Sequence, residues 1–391
     1  MLRILTLSTL FPDATRPNFG VFVERQTLGL AAHPDVSLQA VAPVGLPPGP
    51  LRRIGHYASL ATLPERETWK GVDVHRPRFT ALPFTRGRHH AAALERALVP
   101  VLDAICADFA FDVIDASFFF PDGPAAVALG KRYGVPVSIK ARGADIHHWG
   151  TASSTAASVR GAGQGAAGLL AVSAAMKADM VAMGLPAERI GVHYTGVDQD
   201  RFRPLDRATA KSAVGIAGPL VVSVGALIPR KGHDIVIDAV AALPGVTLLI
   251  AGEGPERAAL QARIARYGIA DRVRLLGAVP HGDLPRLIAA ADVSALASGS
   301  EGLANAWVES LACGTPVVIT DAGGAHEVVT SSDAGRVTIR DGLAFAAAIG
   351  TLLADPPTQE ATRAAAAPFT WEANTAALYE HLARLVAGNR I

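Results

Sequence analysis

The chain has 391 residues, of which 50% are hydrophobic, and its formal net charge at pH 7 is +1. This charge excludes a strongly basic nucleic-acid-binding protein, and the length predicts two domains. Cys106 and Cys313 are too few for a disulfide scaffold or a zinc site, so we expect small buried apolar residues in a reducing compartment. No run of about 18 apolar residues occurs and the N-terminal run lacks signal-peptide features, so we expect a cytoplasmic protein without a transmembrane helix.

Short apolar runs rich in valine, isoleucine and leucine predict β-strands along the whole chain. They lie at residues 3–8, 112–117, 136–141, 169–173, 220–225, 246–252, 273–277, 292–298 and 316–320. Because the runs lack strict apolar/polar alternation, we expect both faces of each strand to be buried, as in parallel sheets. Alanine-rich segments of helical length lie at residues 122–133, 174–183, 233–242, 256–267 and 304–313. The alternation of strand and helix predicts an α/β fold.

A polar, turn-rich segment at residues 195–219 interrupts this alternation and is interpreted as a linker with a short helix. It predicts a first domain over residues 1–200 and a second over residues 201–370. The tail is predicted to form an amphipathic helix over residues 371–391 that packs back on the first domain. Its apolar stripe is expected to contain Trp371, Leu378, Leu382 and Leu385.

The richest polar group of the first half follows the strand predicted at residues 136–141. Arg142, Asp145 and His147 stand there, with His148 and Trp149 beside them. The group indicates either a site at the carboxyl end of the strand or a solvated loop. Two adjacent histidines without further ligands do not predict a metal site.

A basic patch with interleaved apolar residues occupies residues 75–90 and includes Phe79, Leu82 and Phe84. One interpretation is a surface loop with solvated charges. The other is a contact with an anionic lipid or a lipid-linked substrate at the cytoplasmic face of the membrane.

Two cations follow the strand predicted at residues 220–225. Arg230 and Lys231 stand at the start of the next helix, where positive charge opposes the helix dipole. The pair therefore indicates an anion held there by backbone N–H groups and both side chains, unless the two are simply exposed surface cations. Glu253 and Val279 follow the next two strands and are weaker candidates.

The stretch "SEGLANAWVES" at residues 300–310 carries two acids, Glu301 and Glu309, separated by seven uncharged residues. The amides of Gly302, Leu303, Ala304 and Asn305 fall where we expect the helix to begin, so they can donate to a phosphate or to sugar hydroxyls. Carboxylates accept hydrogen bonds from vicinal hydroxyls. The alternatives are a helix-start acid for Glu301 and a surface acid for Glu309.

With these residues in place, the chain resembles the retaining glycosyltransferases of family four, which have the GT-B fold. The likeness rests on "EGLANAWVESLACGTPVV" as an E-x7-E signature, "GALIPRKGHD", "AGEGPE", "DAGGAHEVV" and "TGVDQDRF". The segments "FGVFVERQ", "FFFPDGPAA" and "KARGADIHH" resemble a bacterial polysaccharide or lipopolysaccharide branch. The resemblance implies two Rossmann-like, doubly wound parallel-sheet domains facing a central cleft.

The resemblance also implies roles for these residues, with a UDP- or GDP-sugar as donor substrate and no tightly bound cofactor. Lys231 and Arg230 would neutralise the diphosphate, Glu309 would bind the ribose, and Glu301 with the amides of 302–305 would hold the sugar. Val279 would meet the base, Glu253 would also contact the donor, and Gly20 would approach the phosphates. Lys231, Glu301 and Asp145 are the catalytic candidates, and Gly20, Arg142 and His147 are the acceptor-side candidates. The acceptor would be a glycan or a lipid-linked saccharide.

Three positions depart from the family pattern. Ala226 stands where arginine is usual, so we hypothesise that Arg230 supplies the missing charge. Thr195 replaces a usual asparagine, and "RGAD" stands where many relatives carry a histidine, which leaves the roles of Arg142, Asp145 and His147 open. A nucleotide-sugar epimerase of the same architecture and a non-catalytic nucleotide binder are the alternative functions.

Overall fold

The computed structural model describes residues 1–389 and divides the chain into two compact units. The first unit comprises Met1–Gly196 together with the segment from Trp371 on, and the second comprises Val197–Thr370. Both are α/β units, so the predicted fold class is confirmed. Among the described residues, no helix is long and apolar enough to cross a membrane.

The first unit is built on a doubly wound sheet. Its strands are β1 (Leu2–Leu7), β2 (Val36–Val41), β3 (Val44–Leu46), β4 (Arg66–Trp69), β5 (Val72–His75), β6 (Arg78–Thr80), β7 (Val113–Ala116), β8 (Val137–Ala141), β9 (Gly168–Ala171) and β10 (Ile190–Val192). Its helices are α1 (Val21–Ala31), α2 (His56–Ala61), α3 (His90–Asp108), α4 (Asp122–Tyr133), α5 (Ala156–Gly165), α6 (Ala174–Ala182) and the C-terminal α15 (Trp371–Asn389). The main sheet has the order β10-β9-β8-β7-β1-β2-β5-β4, in which only β4 is antiparallel, and β3 pairs with β6 apart from it. The order in which the chain adds strands to the sheet reverses between β1 and β7.

The C-terminal helix α15 packs on this unit through an apolar face. Leu378, Leu382 and Val386 join a buried cluster that includes Ile4 and Leu30. The predicted stripe is partly wrong, since Trp371 and Leu385 are only half-buried, whereas Asn374 and His381 lie on the buried face. Burial of these polar side chains is possible because each has a hydrogen-bond partner in the first unit.

The basic patch of residues 75–90 is not the wholly solvated loop that one interpretation predicted. Arg76 is 1% exposed, pairs with Glu67 at 2.5 Å and donates to the carbonyl oxygen of Pro12 at 2.9 Å. Arg78 is half-buried and donates to the carbonyl oxygens of Arg76 and Leu63. These two arginines therefore hold the edge of the sheet, and most of the exposed residues of the patch lie from Leu82 on.

The second unit contains a smaller parallel sheet. Its strands are β11 (Leu220–Val224), β12 (Thr247–Ala251), β13 (Val273–Gly277), β14 (Val293–Leu296), β15 (Val317–Thr320) and β16 (Gly335–Thr338). Its helices are α7 (Arg207–Ala213), α8 (His233–Ala241), α9 (Arg257–Tyr267), α10 (Leu284–Ala290), α11 (Asn305–Ala312), α12 (Ala325–Val328), α13 (Gly342–Ala354) and α14 (Gln359–Ala364). The order β13-β12-β11-β14-β15-β16 reverses between β11 and β14. In such sheets ligands bind outside the carboxyl ends of the strands at the point of reversal.

Candidate functional site in the second unit

The loops after β11 and β14 meet at the point where the strand order reverses. Gly232 has a φ of +66°, and a Cβ there would lie 2.1 Å from the carbonyl oxygen of Ala297. Only glycine allows the backbone to approach so closely in this conformation. The N–H of Gly299 donates to the carbonyl oxygen of Arg230 at 2.7 Å, which ties the two loops together.

Glu301 pairs with both predicted cations at this junction. Lys231 Nζ lies 2.5 Å from Glu301 Oε1, and Arg230 Nη1 lies 3.2 Å from Glu301 Oε2. The side chains of Glu301 and Lys231 are 8% and 15% exposed, whereas that of Arg230 is 44% exposed. Two cations around one carboxylate leave a net positive charge, so the cluster can attract a further anion.

The helix α11 begins beside this cluster and directs its first amides toward the same edge. Leu303 and Ala304 are buried, Asn305 starts the helix, and Gly302 accepts a hydrogen bond from the N–H of Gly324 at 2.9 Å. Trp307, 1% exposed, anchors the helix in the core. The helix N-terminus therefore adds partial positive charge to the side that Lys231 and Arg230 already occupy.

Glu309 lies one turn into α11 and faces the segment that follows β13. Its Oε1 is 3.0 Å from Nε2 of His281. The sequence singled out Val279 in this segment but missed His281, although a histidine two residues beyond a candidate backbone contact was a usable signal. Val279 lines a groove of about 550 Å³ between α7 and α10, together with Leu276 and Leu287.

Glu253 lies at the rim of the same edge, after β12. Its side chain is 55% exposed and is 3.4 Å from Nη1 of Arg257 on α9. The structure thus brings Lys231, Arg230 and Glu301 into direct contact and places Glu309 with His281, whereas Glu253 pairs with Arg257.

His233, which the sequence did not single out, lies beneath the cationic loop. It is 2% exposed, and its Nδ1 is 2.9 Å from Oγ of Ser223 on β11. Burial lowers the pKa of His233 to about 4, so the ring is neutral at pH 7 and supports the loop without adding charge.

Candidate residues in the first unit

Arg142 follows β8 and is held by three contacts. Its Nε donates to the carbonyl oxygen of Ser117 at 2.6 Å, its Nη2 donates to Oε1 of Gln26 at 3.3 Å, and its guanidinium lies 4.8 Å from the ring centre of Phe22. Burial lowers the pKa of Arg142 to about 10, which leaves it charged at neutral pH. A fixed and half-buried guanidinium is suited to bind an anionic or hydroxyl-rich group.

Asp145 supports the turn that presents Arg142. Its carboxylate is 0% exposed and accepts hydrogen bonds from the N–H groups of Phe119, Arg142 and Gly143 at 2.8 to 3.1 Å. Burial raises its pKa above the ordinary value. These backbone donors make Asp145 a support of the turn, and its catalytic role stays a prediction.

Gly20 and His147 are the other two candidates of the first unit, and each has contacts of its own. Gly20 precedes α1 with a φ of +67°, and a Cβ there would lie 1.9 Å from the carbonyl oxygen of Leu10. Nε2 of His147 lies 2.9 Å from Oδ2 of Asp179, on the exposed side of the π-helical turn Asp145–Trp149. Among residues 1–389, no cluster of three or more His, Cys, Asp or Glu side chains is arranged to hold a metal ion.

The two cysteines differ in their surroundings. Cys313 is buried, and burial with the nearby charge of Glu309 raises the pKa of its thiol to about 12. Cys106 is only half-buried, so the expectation of a fully buried residue is wrong for this position.

Comparison with known proteins

Two family models match the chain. Residues 206–368 match the model described as glycosyl transferases group 1, and residues 51–201 match the model described as glycosyltransferase family 4. The chain belongs to this family of glycosyltransferases and has its GT-B fold.

Among curated proteins, D-inositol 3-phosphate glycosyltransferase from Mycobacterium tuberculosis is 39% identical over 218 residues. The match covers 52% of this chain and 45% of the relative. The chain thus spans about half the length of the curated relatives it matches.

Solved structures share the fold at low sequence identity. Sucrose-phosphate synthase from Thermosynechococcus elongatus is similar with a TM-score of 0.82 and 21% identity, over 99% of this chain and 100% of that one. The Anabaena protein HepE, solved with UDP and glucose, is similar with a TM-score of 0.75 and 23% identity, over 98% of this chain and 100% of that one.

Proposed function

We propose that the protein transfers a hexose from a UDP- or GDP-sugar to a hydroxyl of a glycan or lipid-linked acceptor, with retention of the anomeric configuration. The observation that carries the proposal is the Lys231–Glu301–Arg230 cluster beside the N-terminus of α11, at the reversal of strand order. A diphosphate is the anion that such an arrangement fits, and Glu301 is then positioned to accept hydrogen bonds from the sugar.

The departure of the nucleoside diphosphate moves negative charge onto its leaving oxygen. Lys231, Arg230 and the amides of residues 302–305 would stabilise that charge electrostatically in the transition state. The leaving phosphate can itself take the proton of the attacking hydroxyl. A transfer on the same face of the sugar therefore needs no protein base, and Glu301 acts as a positioning group for the sugar.

Glu309 would accept hydrogen bonds from the ribose hydroxyls, and the backbone near Val279 would meet the base. Uridine is the first base to test because HepE was solved with UDP and glucose. Guanosine is the second, because a GDP-sugar is the other donor that the sequence resemblance implies.

Arg142 of the first unit would meet the acceptor, because its guanidinium is fixed at the carboxyl end of β8. The mycobacterial relatives are named for an inositol phosphate, so a phosphorylated polyol belongs in the test beside lipid-linked glycans. A guanidinium suits the phosphate of either class.

An exposed apolar and basic surface of the first unit supports a peripheral membrane contact at the cytoplasmic face. Phe84 is 100% exposed, Ile54 is 61% exposed and Leu51 is 46% exposed. The exposed cations Arg52, Arg53, Arg86 and Arg88 flank them. Apolar side chains among cations are typical of binding to anionic bilayers. Sedimentation with vesicles of phosphatidylglycerol, but not of phosphatidylcholine alone, is the expected result, and Phe84→Ser should weaken it.

Thermal unfolding across a panel of UDP- and GDP-sugars tests the donor assignment. A ligand that binds the folded state alone raises the midpoint in proportion to the logarithm of its concentration. We expect one nucleotide sugar to stabilise the protein and Lys231→Ala to remove the effect. The absence of stabilisation by any nucleotide at millimolar concentration would overturn the proposal.

A further inference from the structure

Glu309 belongs to a chain of three side chains within the second unit. Arg201 donates through Nη2 to the carbonyl oxygen of His281 at 2.7 Å and also to Nδ1 of the same residue. His281 in turn reaches Oε1 of Glu309 with its Nε2 at 3.0 Å. The three residues come from the linker, from the segment after β13 and from α11.

The chemistry of arginine fixes the tautomer of His281. A guanidinium offers donors and no acceptor, so Nδ1 of His281 must accept the hydrogen bond from Arg201. In the neutral ring the proton then lies on Nε2, which is the nitrogen that faces Glu309. His281 therefore donates to the carboxylate, and the direction of both hydrogen bonds is set by Arg201.

Packing against an aromatic ring and a backbone hydrogen bond hold Arg201 and His281 in place. The His281 ring lies 5.4 Å from the ring of Phe202, and the guanidinium of Arg201 lies 5.2 Å from the same ring. The N–H of Arg201 donates to Oδ1 of Asp198 at 3.1 Å. The side chains of His281 and Glu309 are 32% and 13% exposed, so the pair lies at an edge that a ligand can reach.

We propose that His281, oriented by Arg201, is a positioning residue that holds the Glu309 carboxylate for the ribose hydroxyls of the donor. The inference rests on the proposed function, in which Glu309 binds the ribose. A carboxylate has about four acceptor positions, so one hydrogen bond from His281 leaves others for a vicinal diol. Fixing the rotamer before binding removes part of the entropic cost of ordering the side chain.

The test measures the dissociation constant of UDP by calorimetry for the full chain and its variants. His281→Leu should weaken UDP binding about tenfold, because the oriented charge-assisted hydrogen bond is lost. His281→Gln should stay within about threefold of the wild type, since an amide N–H can replace Nε2. Arg263→Leu is the matched control, because it breaks the Arg263–Asp238 pair between α8 and α9 in the same unit.

A double-mutant cycle separates positioning from general structural loss. If His281 acts through Glu309, adding His281→Leu to Glu309→Ala should cause no further loss of UDP affinity. Additive losses, or unchanged binding in His281→Leu, would overturn the inference. If the His281→Leu variant does not fold, Arg201→Met is measured in its place. Arg201→Met should also weaken UDP binding about tenfold, and it should cause no further loss of UDP affinity when added to Glu309→Ala. A wild type that binds neither UDP nor GDP would instead overturn the proposed function, and the inference with it.

Discussion

Lys231 Nζ lies 2.5 Å from Oε1 of Glu301, across the point where the strand order of the second unit reverses. The two residues stand 70 positions apart in the chain and are both mostly buried. An ion pair at this place holds the cation at the edge where ligands bind in α/β sheets. Under the proposed function, this carboxylate would accept hydrogen bonds from the donor sugar.

Replacing Lys231 by alanine should lower donor kcat/KM by about 100-fold or more, because the transition-state charge loses its main cation and Glu301 is left buried beside fewer partners. Steady-state kinetics with the preferred donor measure this. Lys211→Ala is the matched control, since Lys211 pairs with Asp292 at 2.6 Å with similar burial. Lys211→Ala should reduce stability and leave kcat/KM within about threefold; equal losses in both variants would contradict the assignment.

Arg230→Ala should weaken donor affinity by a smaller factor, about tenfold, because this side chain is 44% exposed and water screens its charge. The variant tests whether Arg230 supplies the charge that Ala226 lacks. Calorimetric titration with the nucleoside diphosphate measures the change. An unchanged affinity would remove Arg230 from the site.

Arg142→Ala should raise the acceptor KM about tenfold while leaving the dissociation constant of UDP unchanged. The reason is that Arg142 belongs to the first unit, whereas the donor is assigned to the second. Arg132→Ala, which breaks an exposed pair with Asp103 in the same unit, is the control. A change in UDP affinity with no change in acceptor KM would contradict the division of roles.

Gly20→Ala should destabilise the first unit by several kcal/mol, because a Cβ would collide with the carbonyl oxygen of Leu10 in addition to the cost of a left-handed conformation. Gly134→Ala is matched in backbone conformation, with a φ of +70°, but its Cβ would have no atom within 4 Å. This control should cost only about 1 kcal/mol. Urea unfolding of both variants measures the difference, and equal losses would argue against a close approach at Gly20.

The second unit should lose stability on acidification through His233. Its folded pKa of about 4 lies below the ordinary value of 6.5, so the unfolded chain binds the proton first as the pH falls. The contribution is present above pH 6.5 and is lost between pH 6.5 and 4, to a total of about 3 kcal/mol. Asp115 and Asp122 of the first unit act in the opposite direction, since burial raises their pKa values to about 6 and about 7.

His233→Asn removes this titration and keeps a polar partner for Ser223. Stability measured by urea unfolding at pH 7, 6, 5 and 4 should therefore fall less steeply in the variant than in the wild type. Parallel pH profiles would show that His233 is not buried in its neutral form.

Local pattern was sufficient for the fully buried strands but not for the inner strands β2 and β5, which are only partly buried and were not predicted. Strands such as β7, β8 and β14 are buried on both faces, which forces a continuous apolar run that is visible in the sequence. The edge strands β4 and β16 were missed because their residues are partly exposed and therefore mixed in character. Helix α3 was missed as well, since Pro100 lies within it.

The sequence identified individual residues of the candidate site but not the contacts between them. Arg230 and Lys231 stand out locally because positive charge at the start of a helix is unusual, and Glu301 stands out as part of the E-x7-E pattern with Glu309. Their contact joins two loops whose proximity is set by the strand order. The partnership of His281 with Glu309, 28 positions apart, depends on tertiary structure in the same way. The support that Asp145 gives to the turn after β8 was likewise not visible in the sequence, because its donors include the N–H of Phe119, 26 positions away.

The most direct test of the proposed transfer is a product assay with labelled UDP-glucose, UDP-galactose and GDP-mannose. Each is incubated with and without lipid-linked saccharides and inositol phosphate, and the anomeric configuration of the product is read by NMR. We predict that one donor gives a labelled glycoside only when an acceptor is present, with the configuration of the donor retained. An isomerised donor formed without acceptor, an inverted linkage, or nucleotide binding without turnover of any donor would contradict the proposed function.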